Sequence, residues 1–309
     1  GRSPFVFFCY MLQYVYRVLP KRIIVEVIKI KCLFWNINKK DLAEEIADCA
    51  TENHIDIIIT AESENLNSFH MLSQLHKRES RFEQKEVLPV KEDIKLFAKE
   101  TFEVTVYKED KHVSLFKVHE KKRNYLLAAV HFSSAMYKSE ESRGRRADDL
   151  AGFIENQEKD CNKERGISEE EYQTIVVGDF NLHPFSSGII GCHGFQAVYD
   201  IRAAKKGSRI VEDEERRFYY NPMWDIMGKH SGIMGTYYCE SDQDDRSFYW
   251  YTFDQVLIRP ILIERFVWDE FAVITEISGK TLLQNGKINK KTYSDHLPIK
   301  FEIRTGGKS

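Results

Sequence analysis

Ile175-Val176-Val177-Gly178-Asp179-Phe180-Asn181 runs an apolar strand straight into an acid and an amide two residues apart. On an extended backbone, alternate residues share a face, so Asp179 and Asn181 can address one cleft. A carboxylate there can orient or deprotonate a water while the amide donates a hydrogen bond to a phosphate oxygen. The pairing suits phosphate-ester hydrolysis. A single strand-end Asp or Asn is more often a turn former or helix cap, so the reading depends on whether the rest of the chain repeats the pattern.

Five further segments do. Cys32-Leu33-Phe34-Trp35 leads into Asn36, residues 55–60 lead into Glu62, and residues 125–130 lead into His131. Tyr251-Thr252-Phe253 leads into Asp254, and Ser294-Asp295-His296 precedes the alternating Leu297, Ile299, Phe301 and Ile303. Each is a β-type run ending or beginning at a polar group able to bind metal or phosphate. Six coincidences in one order outweigh the turn-former reading for the set.

With these motifs the chain resembles the endonuclease/exonuclease/phosphatase superfamily, the DNase-I-like fold. That family carries a strand-end Asn, a Gln-Glu or similar pair, a strand-end His or Tyr, Gly-Asp-x-Asn, an Asp in a late strand, and a final Ser-Asp-His. Here they read Trp35-Asn36, Ala61-Glu62, Val130-His131, Gly178-Asp179-Phe180-Asn181, Phe253-Asp254-Gln255 and Ser294-Asp295-His296, within residues 31–303. Ala61 stands where the family usually has Gln, a position that is not the metal ligand. The resemblance implies an α/β protein, a four-layer α/β/β/α sandwich. It also implies that Asn36, Glu62 and Asp295 belong to a metal site, that Asp179 orients or deprotonates the attacking water, and that Asn181 holds the scissile phosphate. His296 would donate to a phosphate oxygen, with Asp254 behind it fixing the tautomer and keeping the ring cationic. His131 matches a second phosphate-contacting position, with Glu92 or Asp93 upstream to orient it. For His131 taken singly, an ordinary satisfied polar residue on an apolar strand stays an open alternative.

Glu62, Asp179, Asp254 and Asp295 converging on one pocket would repel one another unless cations or protons neutralise them. A divalent metal is therefore expected, and all-oxygen ligation suits Mg²⁺ or Mn²⁺ better than Zn²⁺.

Composition fits one large domain. The chain has 309 residues, 42% of them hydrophobic, and large sandwiches fill such a length as one unit. Residues 23–305 are expected to form that domain, preceded by an apolar extension over residues 1–22. The apolar stretch at 5–19 is interrupted by Gln13 and Arg17 and followed by Pro20-Lys21-Arg22. It is short for a membrane span, which needs about 20 apolar residues, so a packing element or contact surface is preferred to an anchor. The chain opens on Gly1-Arg2-Ser3 rather than Met, and the origin of this end stays open. Net charge is -3, which removes the strongest electrostatic sign of tight nucleic-acid binding without excluding a nuclease, since metal-neutralised carboxylates inflate the acidic count. The cysteines, six in all, lack the close pairs of a zinc site and are sparse for a disulfide scaffold. An intracellular (cytoplasmic), reduced setting is expected. Cys192 and His193 point apart on an extended chain and are taken as loop packing.

Helices are expected where Asp41 and Glu44 resemble a capping box before the stripe Leu42, Ile46, Ala50, and over residues 145–159, with Leu150 and Ile154 facing the sheet. Residues 202–251 mix basic and aromatic side chains, including Arg216, Arg217, Tyr220 and Trp224. Basic groups can follow a phosphodiester backbone while rings stack on bases; equally, the aromatics can fill the core under a long connection. Arg143, Arg145 and Arg146 are a second candidate phosphate contact, or a solvated helix start.

The sequence thus predicts a Mg²⁺- or Mn²⁺-dependent phosphodiesterase, foremost a nuclease whose partner is DNA or RNA, acting by direct attack of water on phosphorus. The runner-up is the same chemistry on a small phosphoester, an inositol phosphate or phospholipid head group. The family's inositol phosphatases carry Pro-Ala-Trp-Cys-Asp-Arg at the late Asp motif, where this chain has Tyr251-Thr252-Phe253-Asp254-Gln255. A third reading is an inert interaction module on the same fold.

Overall fold

The computed structural model describes residues 29–78, 81–85, 93–120, 123–132, 139–165, 173–230, 232–240 and 248–305. The apolar stretch at 5–19 and Glu92 lie outside the described residues.

The chain enters β1 (Lys29–Asn36), crosses by α1 (Ala43–Glu52) to β2 (Ile57–Ala61), and passes α2 (Ser68–Lys77) to β3 (Phe82–Lys85) and β4 (Ile94–Lys99). A meander of β5 (Glu103–Asp110), β6 (Val113–Glu120) and β7 (Arg123–His131) follows, and α3 (Glu140–Arg165) carries the chain to β8 (Thr174–Asp179). Short elements come next: α4 (Ser187–Ile190), β9 (Ala197–Val198), α5 (Ile201–Ala204), the hairpin β10 (Ser208–Val211) and β11 (Glu214–Arg217), then β12 (Tyr219–Tyr220) and α6 (Met223–Met227). The ribbon of β13 (Tyr237–Tyr238) and β14 (Trp250–Tyr251) leads into β15 (Asp254–Ile258). After β16 (Ala272–Val273), two small hairpins, β17 (Glu276–Ile277) with β18 (Lys280–Thr281) and β19 (Leu283–Gln284) with β20 (Lys287–Ile288), precede β21 (Ile299–Arg304).

One sheet has the order β16-β21-β1-β2-β4-β3 and the other β5-β6-β7-β8-β15-β12-β9. The central strands β2, β8 and β15 are buried at every position, because both faces of each sheet are covered, and their middles read accordingly as consecutive apolar residues rather than an alternation. β1 runs parallel to β2, and β7 parallel to β8. A parallel pair needs a long crossover, which α1 and α3 supply.

Alternation along the strands sorts side chains into layers. Phe34, Ile57 and Ile59 from the first sheet meet Leu127, Ile175, Val177 and Val256 from the second in the central core. Leu33, Trp35 and Ile58 point the other way, against Ile46 of α1 and Met71 and Leu75 of α2. Val176 and Leu257 do the same on the far side, against Ala147, Leu150 and Ile154 of α3. The result is the α/β/β/α sandwich. Each fully buried Ile, Leu or Phe in these layers contributes about 1.5–3 kcal/mol.

Two local expectations are corrected. The Asp41–Glu44 capping box does not form: α1 begins at Ala43 with Leu42 at its cap and no side-chain cap bond, although Asp41 accepts a 3.4 Å bond from the Ala43 N–H. The chain is first drawn aside, because Asn38 and Lys39 have left-handed φ of 47° and 57° and the Lys39 N–H donates to the Glu62 carbonyl. The second helix covers the sheet as expected but spans Glu140–Arg165. Within it Glu158 is wholly buried, and its carboxylate accepts from Arg259 and from Tyr219. Among the described residues no helix is long and apolar enough to cross a membrane.

Candidate active site

The motif residues end their strands in register. Asn36 stands beside Ala61 across β1 and β2, so Glu62 emerges next to Asn36. In the second sheet His131 pairs with Asp179, and Asp179 with Asp254, a row of three polar groups across β7, β8 and β15. Gly178 makes that row possible: a Cβ at this position would lie 1.9 Å from the Val130 carbonyl oxygen.

Hydrogen bonds join the two sheets at this edge. The Asn36 Nδ2 donates to Asp179 Oδ2 at 3.0 Å and to Glu62 Oε1 at 3.2 Å. Asn181, one turn past β8 at φ 47°, donates its N–H to Asp179 Oδ1 at 2.8 Å and its Nδ2 to Asp179 Oδ2 at 2.9 Å. Asp179 is thus held by three donors, which leaves little of its accepting capacity unused. Ser294 donates to the Asn36 carbonyl at 2.6 Å and accepts from the His296 N–H at 3.1 Å, while the Trp35 indole donates to the His296 carbonyl at 2.8 Å. These bonds pin the last motif to the end of β1. The His296 ring then meets Asp254 Oδ2 through Nδ1 at 2.7 Å and faces Asp179 Oδ2 through Nε2 at 3.9 Å. The longer gap is too wide for a hydrogen bond.

The electrostatics follow from burial and pairing. Burial disfavours a charged His296 ring, but Asp254 foremost and then Asp179 more than reverse it and hold the ring at about 10. Burial works against His131 too, and Asp93 and Glu62, at 3.7 and 3.5 Å, hold it at about 10. His131 donating to Glu62 holds that carboxyl below the usual range. Burial raises Asp179 to about 6, with His296 opposing the shift. Both imidazoles are therefore cations at neutral pH. Glu62 occupies a left-handed φ of 49°, a conformation costing of order 1–3 kcal/mol for such a residue and found at functional sites.

The sequence-derived site residues separate into two groups. Asn36, Glu62, His131, Asp179, Asn181, Asp254 and His296 meet at one place, and Asp295 adjoins His296, accepting from Ser294 at 3.4 Å. Asp93 is the acid on His131. Asp179, Asp254 and His296 could also be read as a ligand triad, but the imidazolium already fills the space between its two carboxylates. Glu62 and Asp295 retain partly exposed carboxylates, the oxygen donors a hard cation takes. The Asn36 amide presents its nitrogen to Glu62 and Asp179 and its oxygen to the Asn38 N–H, so here it links carboxylates.

The substrate-binding expectations change. Tyr220 is a core residue, 5% exposed, paired with Ile258 at the end of β15 opposite Asp254, and its ring packs on Trp268. Arg217 approaches the buried Glu158 at 3.5 Å, and Arg216 pairs with Glu214 within its own hairpin. The run Arg216-Arg217-Phe218-Tyr219-Tyr220 turns its rings inward here because β12 joins the sheet. Trp224, half-buried on α6, lies edge-on to Phe185 at 4.0 Å and to Tyr199 at 5.6 Å. Three residues take places at the site that the sequence did not assign them: Thr236 accepts from the Asp254 N–H, Tyr237, one of the aromatics of residues 202–251, bridges to His296 with its ring 4.9 Å away, and Arg143, read as a phosphate contact or helix start, donates to the Asn181 carbonyl.

This architecture is the DNase-I-like fold, shared with the solved structures it is similar to. The solved structures it is similar to include TDP2 of D. rerio complexed with single strand DNA product, at 16% identity over 90% of this chain and 99% of that one, TM-score 0.51. It is also similar to the endonuclease domain of TRAS1, a telomere-specific non-LTR retrotransposon, at 14% identity over 90% and 100%, TM-score 0.52. A third is an AP endonuclease from Archaeoglobus fulgidus, at 12% identity over 90% and 100%, TM-score 0.51. No protein-family model matches the sequence, and no curated protein matches it.

Proposed function

We propose that this protein is a divalent-metal-dependent phosphodiesterase that hydrolyses nucleic acid. The observation that carries the reading is the pairing of a buried carboxylate of raised basicity, Asp179, with an imidazolium 3.9 Å away, His296. A tetrahedral phosphate needs both a base for the attacking water and a cationic donor for its oxygens. Asp179, locked by Asn36 and Asn181, would take the proton of water as its oxygen bonds to phosphorus and the bond to the leaving oxygen breaks. His296, its tautomer set by Asp254, would donate Nε2–H to a phosphate oxygen, and His131 would contact a second. Glu62 and Asp295, with Asn36 if its amide turns, would hold Mg²⁺ or Mn²⁺. When bound, the metal would supply Lewis-acid stabilisation of the phosphate charge. The solved structures of similar fold include two endonucleases and a protein bound to single strand DNA, which supports nucleic acid over a small phosphoester.

The test is hydrolysis of labelled single- and double-stranded DNA and RNA, beside inositol phosphates and phospholipids, with and without EDTA. Metal-dependent cleavage of a nucleic acid is expected. Turnover of only the small phosphoesters would replace the substrate while keeping the chemistry, and turnover of none would leave an interaction module.

A further inference from the structure

We propose that a row of surface aromatic rings leading away from His296 is a stacking track for the bases of a single-stranded nucleic acid. This rests on the phosphodiesterase reading for its direction and deepens it to a substrate class. Beyond Tyr237, the ring of Tyr251 meets Phe248 at 5.8 Å, Phe248 stacks on His183 at 5.3 Å, and His183 stacks on Phe185 at 5.9 Å. Trp224 and then Tyr199 continue the row from Phe185.

Three properties separate this row from core packing. Phe185, Tyr199 and Phe248 are 56%, 67% and 60% exposed, whereas the phenylalanines of the two large sheets, Phe34, Phe82, Phe97, Phe116 and Phe301, are buried; linked exposed rings mark a binding surface more often than a stray apolar residue does. Secondly, His183, Phe185 and Phe248 lie within 27° of parallel at each step, so the rings already form a stack that a base can extend, since every base offers a face to match. Thirdly, the row is built on the loops that carry the catalytic groups. His183 and Phe185 follow Asn181 directly out of β8, and Phe248 to Tyr251 run into Asp254. A strand stacked along the row would therefore deliver its phosphates to His296 and Asp179. At the outer end, three residues past Tyr199, the Arg202 side chain is 93% exposed and lies 3.7 Å from Asp200 through Nε, so its outer nitrogens face solvent where a backbone phosphate could meet them. Bases paired within a duplex would have their faces covered, so the occupant is a single strand.

The test measures binding of fluorescein-labelled strands of about 12 nucleotides, within the span of one single-strand site, by anisotropy in Ca²⁺ or EDTA. Oligo-dT, oligo-U, a duplex and an abasic strand of equal charge are compared on the wild type and on Phe185→Ala and Phe248→Ala, whose exposed side chains make misfolding unnecessary. Wild type should prefer the single strands to the duplex and to the abasic strand. Each variant should lose about 5- to 150-fold on oligo-dT or oligo-U and nothing on the abasic strand. Equal binding of abasic and base-bearing strands by the wild type, or unchanged affinity in both variants, would overturn the track. Cleavage of the same strands in Mg²⁺ is scored separately, so a protein that binds through the rings but cuts nothing would refute the enzymatic reading alone.

Discussion

The imidazole of His296 sits between two carboxylates, 2.7 Å from Asp254 and 3.9 Å from Asp179, and the rate should report both neighbours. Asp179 must be ionised to take a proton, so activity is expected to rise as pH climbs through about 6. His131 and His296 must stay protonated, so it should fall as pH rises through about 10. Asp254→Asn removes the main support of the imidazolium and should move the alkaline limb downward; a limb that stays in place would detach it from His296. Because the folded-state value of His296 is raised, the stability it adds is complete below the ordinary imidazole range and is lost as pH rises through about 10. Asp254→Ala and His296→Ala should each slow turnover by roughly 10²–10⁴-fold, with the double variant little worse than His296→Ala. Strictly additive losses in folded protein would show that the two act independently. At this scale the sequence identified residue types well, since a polar group closing an apolar run is a local signal. It did not separate Asp93 from Glu92, nor place Thr236 beside Asp254 and Tyr237 beside His296, because those depend on contacts across the fold.

Elements explain why the same residues meet. Gly178 lets β7 and β8 close with His131 beside Asp179, and Gly178→Ala would force a Cβ against the Val130 carbonyl. A destabilisation of about 3 kcal/mol, read by urea unfolding, should accompany loss of activity. At the opposite end of the second sheet, Glu158 of α3 neutralises the buried Arg259. Glu158→Ala leaves that guanidinium without its carboxylate and should cost about 3–5 kcal/mol. Arg216→Ala, on a surface hairpin, should stay within about 0.5 kcal/mol and leave cleavage unchanged; a large rise in KM would restore the substrate contact expected from the sequence. The long apolar strands and the α3 stripe were readable from their periods. Two-residue strands such as β9, β12 and β13 were not, since a pair of residues carries no period and joins a sheet only because its neighbours are already placed.

For the whole molecule, the expected cation gives a measurement independent of turnover. Mg²⁺ at about 100-fold above its Kd should stabilise the folded state by about 2.7 kcal/mol and raise Tm, and Glu62→Gln should abolish most of that rise. EDTA should remove phosphodiesterase activity, and Mg²⁺ or Mn²⁺ should restore it; full activity after exhaustive chelation would end the metal assignment. The sequence by itself determined the fold class and the order of the motifs, because apolar runs and the polar residues that end them are written locally. Only the tertiary structure decided the partners: Asn36 reaches Asp179 across 143 positions and His296 reaches Asp254 across 42. It also decided which aromatic rings serve the core and which face solvent, turning Tyr220 inward while leaving Phe185 and Phe248 outside. Register and burial are properties of the packed sheets, set by contacts between segments far apart in the chain.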